Sequence, residues 1–320
     1  MNIGLDMMGG DFSPLEAVKG IKLYLDGSAL YLDGSAAAVT LFLIGDQAQI
    51  EPLLKEYAIP AEAVRVIHAT QVIGMNEHPT KALKEKQESS IAIGFHLLAN
   101  GKMDAFISAG NTGAMMVGAF YSLKPIAGIQ RPTISTIIPK ENGQTGVLLD
   151  VGLNADCKPE NLNQFAVLGS LYAKHILGIA DPRVGLLNIG EEEGKGNILA
   201  QAAYPLLKEN DQIHFIGNIE GRDMLLDKAD VMVCEGFTGN VILKLAESMY
   251  GITQRKKIHH EYFDRFDFEN YGGTPLLGVT MPVIIGHGIS HGKSFSNMIS
   301  LAQKMIATDL LGKMKESFLA

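Results

Sequence analysis

Short apolar runs recur along this chain, and most of them stop at a glycine-rich polar turn that opens into an amphipathic segment. Leu41 to Ile44, Ala105 to Ile107, Val147 to Leu149, Val184 to Ile189, His214 to Ile216, Val231 to Val233 and Val283 to Ile285 are such runs. They are continuous rather than alternating, which means burial on both faces, the mark of a mostly parallel sheet covered by helices on each side. The pattern predicts an α/β fold, a three-layer α/β/α sandwich with a largely parallel, mixed sheet. With 320 residues, 47% of them hydrophobic, the chain has ample material for a large core. No proline-rich, serine-rich or like-charge linker divides it, so one domain over residues 1–320 is expected.

The first helix is expected to start at Ser13 as N-cap, with Pro14 in the first turn and Glu16 closing a capping box. Leu15, Val18, Ile21 and Leu25 then form its buried stripe. Next, Tyr24 to Leu30 is nearly repeated by Tyr31 to Ala37, a duplication too short for a solenoid and suited to a loop or helix-end insertion.

A net charge of −8 argues against a general nucleic-acid partner, which needs a concentrated basic surface. Cys157 and Cys234 are the chain's two cysteines, too few for a disulfide framework or a four-ligand zinc site. The sequence opens on Met1-Asn2-Ile3-Gly4 without a basic and apolar leader, and no apolar stretch reaches the roughly 18 residues of a membrane span. A cytoplasmic protein, at most peripheral at the inner face of the cell membrane, is the expectation.

Open α/β sheets bind ligands beyond the carboxyl ends of their strands, where small residues let backbone N–H groups approach an anion. Candidate loops are Asp6 to Asp11 with Gly9 and Gly10, Ser108 to Gly113 with Gly110, Asn111 and Thr112, and Gly190 to Asn197 with Gly196. Gly236 to Asn240, with Thr238 and Gly239, and Gly286 to Ser294, with His287, complete the set. None is a Walker A or a Gly-x-Gly-x-x-Gly fingerprint, so no nucleotide cofactor is expected. Asp6 and Asp11 read as loop organisers or acceptors. No histidine or third carboxylate lies close in sequence, and no metal is expected.

Lys195, between Gly194 and Gly196, suits a point-charge contact with phosphate, or else a surface ion pair with Glu191 to Glu193. Asn240 at a helix start suits donation to a developing oxyanion, or else an N-cap. Lys158 beside Cys157 would lower that thiol's pKa; Cys234 ends an apolar strand and reads as packing. No Gly-x-Ser-x-Gly elbow appears, so covalent catalysis is not favoured.

Taken in order, Asp6-Met7-Met8-Gly9-Gly10-Asp11, Ser108 to Ala114, Leu149 to Asn154 with Cys157-Lys158-Pro159, Gly185 to Glu192, Gly217 to Gly221, Glu235 to Val241 and Tyr271 to Gly278 resemble the bacterial phosphate acyltransferase family nearly end to end. That resemblance implies a fold like the isocitrate dehydrogenase and phosphotransacetylase group, a homodimer, acyl-carrier protein as acyl donor and inorganic phosphate as acceptor. It also implies Lys195 and Asn240 as catalytic residues, and adds Asn154 to the substrate and phosphate site formed by the loop residues above. The departures are Glu235, where the family commonly carries Asp, and a shortened segment over 248–271. Arg255, Lys256, Lys257, His259 and His260 there, with Tyr262, Phe263, Phe266 and Phe268, suit a carrier-protein dock with weak, salt-sensitive membrane contact. A short-chain phosphotransacetylase, a dehydrogenase, or a non-catalytic lipid-binding scaffold are the alternatives.

Overall fold

The computed structural model describes residues 1–29 and 39–319. In chain order the elements begin with β1 (Asn2–Asp6), α1 (Leu15–Ala29), β2 (Thr40–Gly45), α2 (Gln47–Glu56), β3 (Val64–His68), α3 (Pro79–Glu85), α4 (Ser90–Ala99), β4 (Ala105–Ser108) and α5 (Thr112–Ser122). Then come β5 (Thr133–Pro139), β6 (Thr145–Leu149), α6 (Pro159–Tyr172), β7 (Arg183–Asn188), α7 (Ile198–Lys208), β8 (His214–Glu220), β9 (Val231–Val233), α8 (Gly236–Lys256) and α9 (Glu261–Asp264). β10 (Thr274–Leu277), β11 (Val283–Ile285), α10 (Gly292–Ala307) and α11 (Leu310–Leu319) complete the chain. Where the sequence shows no linker, the structure has two compact units: residues 1–125, 268–275 and 279–311, and residues 126–267, 276–278 and 312–320.

In the first unit the strands are parallel in the order β3-β2-β1-β4-β11. Apart from the edge strand β3, where Arg65 and His68 are exposed, these strands have mostly apolar side chains without alternation because helices cover both faces; Ile3, Leu5, Leu43 and Phe106 are fully buried. Phe95 of α4 meets Phe106 edge-on at 5.3 Å, a favoured aromatic geometry. In the second unit β5 pairs antiparallel with β6 and with Leu276 and Leu277. β6-β9-β7-β8 then continue in parallel. The mixed, mostly parallel sheets flanked by helices are those the apolar runs call for.

The start of α1 differs from expectation. The Ser13 hydroxyl donates to the carbonyls of Met8 and Gly10, both at 3.0 Å, so it holds the preceding glycine turn and leaves the helix uncapped by a Ser13–Glu16 box. Glu16 instead accepts from the Gly292 N–H at 2.8 Å and pairs with Lys19 at 2.7 Å. Leu15 is exposed and Leu25 half-buried; Ala17, Val18, Ile21 and Tyr24 form the covered face, and the Tyr24 hydroxyl reaches Gln303 of α10 at 2.9 Å. The second copy of the duplicated heptad lies outside the described residues.

At the amino ends of β7 and β9 a charged cluster closes the second unit. The fully buried Lys140 donates to Asp230 at 2.6 Å, and Asp230 also accepts from the Arg183 backbone N–H at 3.0 Å and from its Nε at 2.9 Å. Burial pushes the Asp230 carboxyl up, but the hydrogen bonds from Arg183 and Lys140 outweigh it and hold that carboxyl well below the usual carboxylate range.

Candidate functional site

Adjacency in each sheet decides which loops meet. β1, β4 and β11 are neighbours, so the loops after Asp6, Ser108 and Ile285 converge. Ser108 Oγ donates to Asp6 at 2.6 Å and accepts from the Gly110 N–H at 2.9 Å, while Asp6 accepts from the Met8 N–H at 3.0 Å. Gly9 lies against Gly110, and the Asp11 N–H donates to the Gly288 carbonyl at 2.7 Å. Burial raises the Asp6 carboxyl above the ordinary carboxylate value, against the Ser108 hydrogen bond that favours its ionised form. Asp6 is thus the organiser of this loop, as its sequence position suggests.

Asn111 is spent within the protein: its Oδ1 caps the Ala114 N–H at 2.9 Å, and its amide donates to the carbonyls of Gly74, Met75 and Glu77 at 3.0–3.2 Å. It tethers the 74–77 segment to the start of α5. Gly113 packs on Pro79. Thr112, Asp11 and His287 present exposed side chains at the same strand ends, and Gly10 takes the left-handed conformation at φ 98°. His287 accepts from the Ile289 N–H at 3.3 Å and lies beside Phe268.

In the second unit β6, β9 and β7 are neighbours, and the loops after Leu149, Val233 and Asn188 converge. Asp150 is the organiser here: one oxygen accepts from the Gly152 and Leu153 N–H groups at 2.8 Å, and the other from the Asn154 amide at 2.5 Å. Asn154 also donates to the Pro132 carbonyl at 2.8 Å, and its own carbonyl accepts from the Gly236 N–H at 2.7 Å. Asn154 therefore shapes the site from within. A methyl group at Gly239 would overlap the Asp150 carbonyl oxygen, so only glycine lets α8 seat this closely.

Glu235, not Asn240, caps α8, accepting from the Thr238 N–H at 3.2 Å and from its hydroxyl at 2.5 Å. Asn240 sits in the second turn, exposed, with one amide hydrogen on the Val151 carbonyl at 3.1 Å. An amide carries two donors, so this contact orients the group and leaves the other hydrogen for a ligand oxygen.

Lys195 occupies a built loop. Asn188 donates to the Lys195 carbonyl and to Asn218, both at 3.1 Å, and Asn218 donates to the Glu192 carbonyl at 2.8 Å. Gly196, at φ 95°, approaches Asn188 so closely that a Cβ would collide with its oxygen. Of the preceding glutamates, Glu191 pairs with Lys228 at 2.5 Å and Glu193 with Lys208 at 3.0 Å; Lys195 stands 3.9 Å from Glu192. Asn197 then caps α7 through the Ala200 N–H at 2.8 Å, so Lys195 stands two residues before a helix start, the end that favours anions. Lys195 lies in the loop between β7 and α7, and Asn240 in the second turn of α8, both exposed.

Sequence reasoning passed over Asp150, Asn188 and Asn218. The Asp-x-Gly pattern at Asp150 is a turn signal that could have found the first. Cys157 reverses its expectation: burial, then the Asp150 charge, pushes its thiol up to about 11, outweighing nearby Arg131. A thiol shifted in that direction is a weaker nucleophile at neutral pH. Cys234 is buried packing as read. We expect Cys157→Ala to keep most of its turnover; an acylated Cys157 that discharges on adding phosphate, seen by intact-protein mass spectrometry, would refute this.

The 248–271 segment separates its two kinds of residue. Residues 254–260 are all exposed, whereas the aromatic side turns inward: Phe266 is buried, Tyr262 reaches the Pro139 carbonyl, and Arg265 donates to the carbonyls of Lys140 and Gln144. Of α8 itself, the buried residues are Gly236, Gly239 and Thr253, and Phe237, Val241 and Leu245 form an exposed apolar stripe. No helix among the described residues is long and apolar enough to cross a membrane.

Glycine loops and helix starts gathered at the carboxyl ends of parallel strands are the architecture of an α/β enzyme. Solved structures share the fold: a phosphotransacetylase from Streptococcus pyogenes (TM-score 0.68, 16% identity, 96% of this chain and 94% of that one) and a branched-chain phosphotransacylase from Enterococcus faecalis (0.61, 13%, 95% and 99%). A family model described as fatty acid synthesis protein matches residues 1–256 and 251–313. The phosphate acyltransferase of Dictyoglomus thermophilum is 40% identical over 99% of this chain and 97% of its own length. That of Halothermothrix orenii is 41% identical over 99% and 98%. The chain belongs to the phosphate acyltransferase family.

Proposed function

We propose that this enzyme transfers a long-chain acyl group from an acyl-carrier-protein thioester to inorganic phosphate. A phosphate oxygen attacks the thioester carbonyl, the tetrahedral oxyanion collapses, and the carrier leaves as thiolate with acyl phosphate as the other product, supplied to phospholipid synthesis. Phosphate is its own nucleophile, so the protein's task is placement and charge stabilisation. Lys195 meets the phosphate charge and Asn240 donates to the oxyanion. The observation that carries this reading is the Lys195 loop, in which Glu191 and Glu193 are matched by other lysines, while the exposed Lys195, two residues ahead of the Asn197 cap of α7, has only a long 3.9 Å contact with Glu192 among the ion pairs of the described residues. The test is thiol release from an acyl-carrier thioester with and without phosphate, and with acetyl-coenzyme A as the competing donor. Phosphate-dependent release from the carrier substrate supports the assignment; turnover confined to acetyl-coenzyme A would replace it with a short-chain phosphotransacetylase.

The carrier docks, on this reading, at Arg255, Lys256 and Lys257, whose exposure suits an acidic partner and a weak contact with anionic lipid. The exposed stripe Phe237, Val241 and Leu245 supports a homodimer. Replacing the three basic residues by alanine is expected to raise the Michaelis constant for the carrier substrate roughly tenfold, three rim charges being removed. An unchanged constant, or liposome sedimentation that resists high salt, would show that this end serves something else.

A further inference from the structure

The second unit contains a cavity of about 550 Å³ between β7, α6, α7 and the first two turns of α8. That volume falls in the range of small-molecule sites, roughly 300–1,000 Å³. Its walls are Leu162, Leu186, Leu187, Leu199, Ala200 and Ile242. The polar side chains that reach it are engaged with their neighbours: Asn188 with Lys195 and Asn218, Asn197 with Ala200, and the Glu235 carboxylate with the N–H and hydroxyl of Thr238. The interior therefore asks for an apolar occupant, because a polar chain placed there would leave its own donors and acceptors unmatched. The rim has the opposite character. Gly196 and Asn197 line the cavity, so the Lys195 loop and the amino end of α7, the end of a helix that favours anions, lie at its edge, with the Glu235 carboxylate on the α8 side. A cation beside an apolar chamber matches a molecule with an anionic head and a hydrocarbon tail.

We propose that this cavity seats the acyl chain, its walls setting the preferred chain length while the head lies at the Lys195 loop. The inference rests on the acyl-transfer reading above. Ile242 and Thr238 fall four residues apart on one face of α8, so a larger side chain at 242 projects into the chamber. Measured as kcat/KM with palmitoyl and butyryl thioesters, the palmitoyl-to-butyryl ratio should fall at least roughly tenfold in Ile242→Trp and in Leu199→Trp, the scale on which apolar pockets discriminate. Ile242→Ala enlarges the chamber and should move the optimum to longer chains, which keeps the proposal testable if a tryptophan variant melts early. A ratio unchanged in all three variants, or an optimum that Ile242→Ala leaves in place, overturns the cavity assignment alone. A wild-type enzyme that releases thiol from neither thioester in a phosphate-dependent way would instead overturn the reaction.

Discussion

Lys195→Ala and Asn240→Ala are each expected to lower turnover by roughly 100- to 1,000-fold, the usual cost of removing one donor or charge aimed at a developing anion. Both side chains are exposed on loop or early-helix positions, so the variants should melt with the wild type. The two losses should differ in kind. On the proposed roles, loss of Lys195 is expected to raise the Michaelis constant for phosphate as well. Loss of Asn240, the proposed oxyanion donor, should lower kcat with little change in that constant. Asn240→Asp is the sharper variant: it keeps the shape, replaces a donor by a carboxylate and should be at least as inactive as alanine. Near-normal kinetics in well-folded Lys195→Ala would reduce that residue to a surface cation.

Asp230→Asn is the largest expected loss of stability, about 3–5 kcal/mol, because it leaves the ammonium of Lys140 buried with its main partner gone. The pH dependence identifies the mechanism. The folded carboxyl sits below its unfolded value of 3.8, so its contribution is present above that pH and is lost as pH falls through the folded pKa. The gap in melting temperature between wild type and Asp230→Asn should therefore be wide at pH 7 and narrower at pH 3. A gap that stays constant would mean that the cost is packing and not charge. The paired change Lys140→Met with Asp230→Leu should recover part of the loss, since no lone charge is then left inside.

The sequence disclosed what local pattern encodes. β2, β4, β6, β9 and β11 each contain the apolar run that predicts them, because continuous burial leaves a continuous signal. The glycine loops lie at strand ends, as expected for parallel strands. What failed depends on distant partners. Ser13 and Glu16 have the spacing of a capping box, but Gly292, 276 residues away, claims Glu16. Cys157 has a lysine as its chain neighbour, yet burial and Asp150 govern its thiol. Asn111 has the look of a ligand in a glycine loop and is consumed by carbonyls from a segment more than thirty residues earlier. Family resemblance marked the position of Asn240, but only the fold shows that Glu235 takes the cap and leaves the amide facing outward.

Helix α8 carries Asn240 near one end and Lys256 at the other, and at 1.5 Å per residue these lie about 24 Å apart along its axis. A helix is stiff at that length, so it acts as a measuring rod between the basic tip and the reacting carbonyl. On the proposed docking, a carrier held at the tip would lay its thioester arm back along the rod, and the rod's length would decide whether the arm arrives. Lengthening α8 by one turn would carry the tip about 5.4 Å outward without touching a residue of the site. Separation of that kind makes reach, and not only affinity, a quantity that selects which carriers can be served.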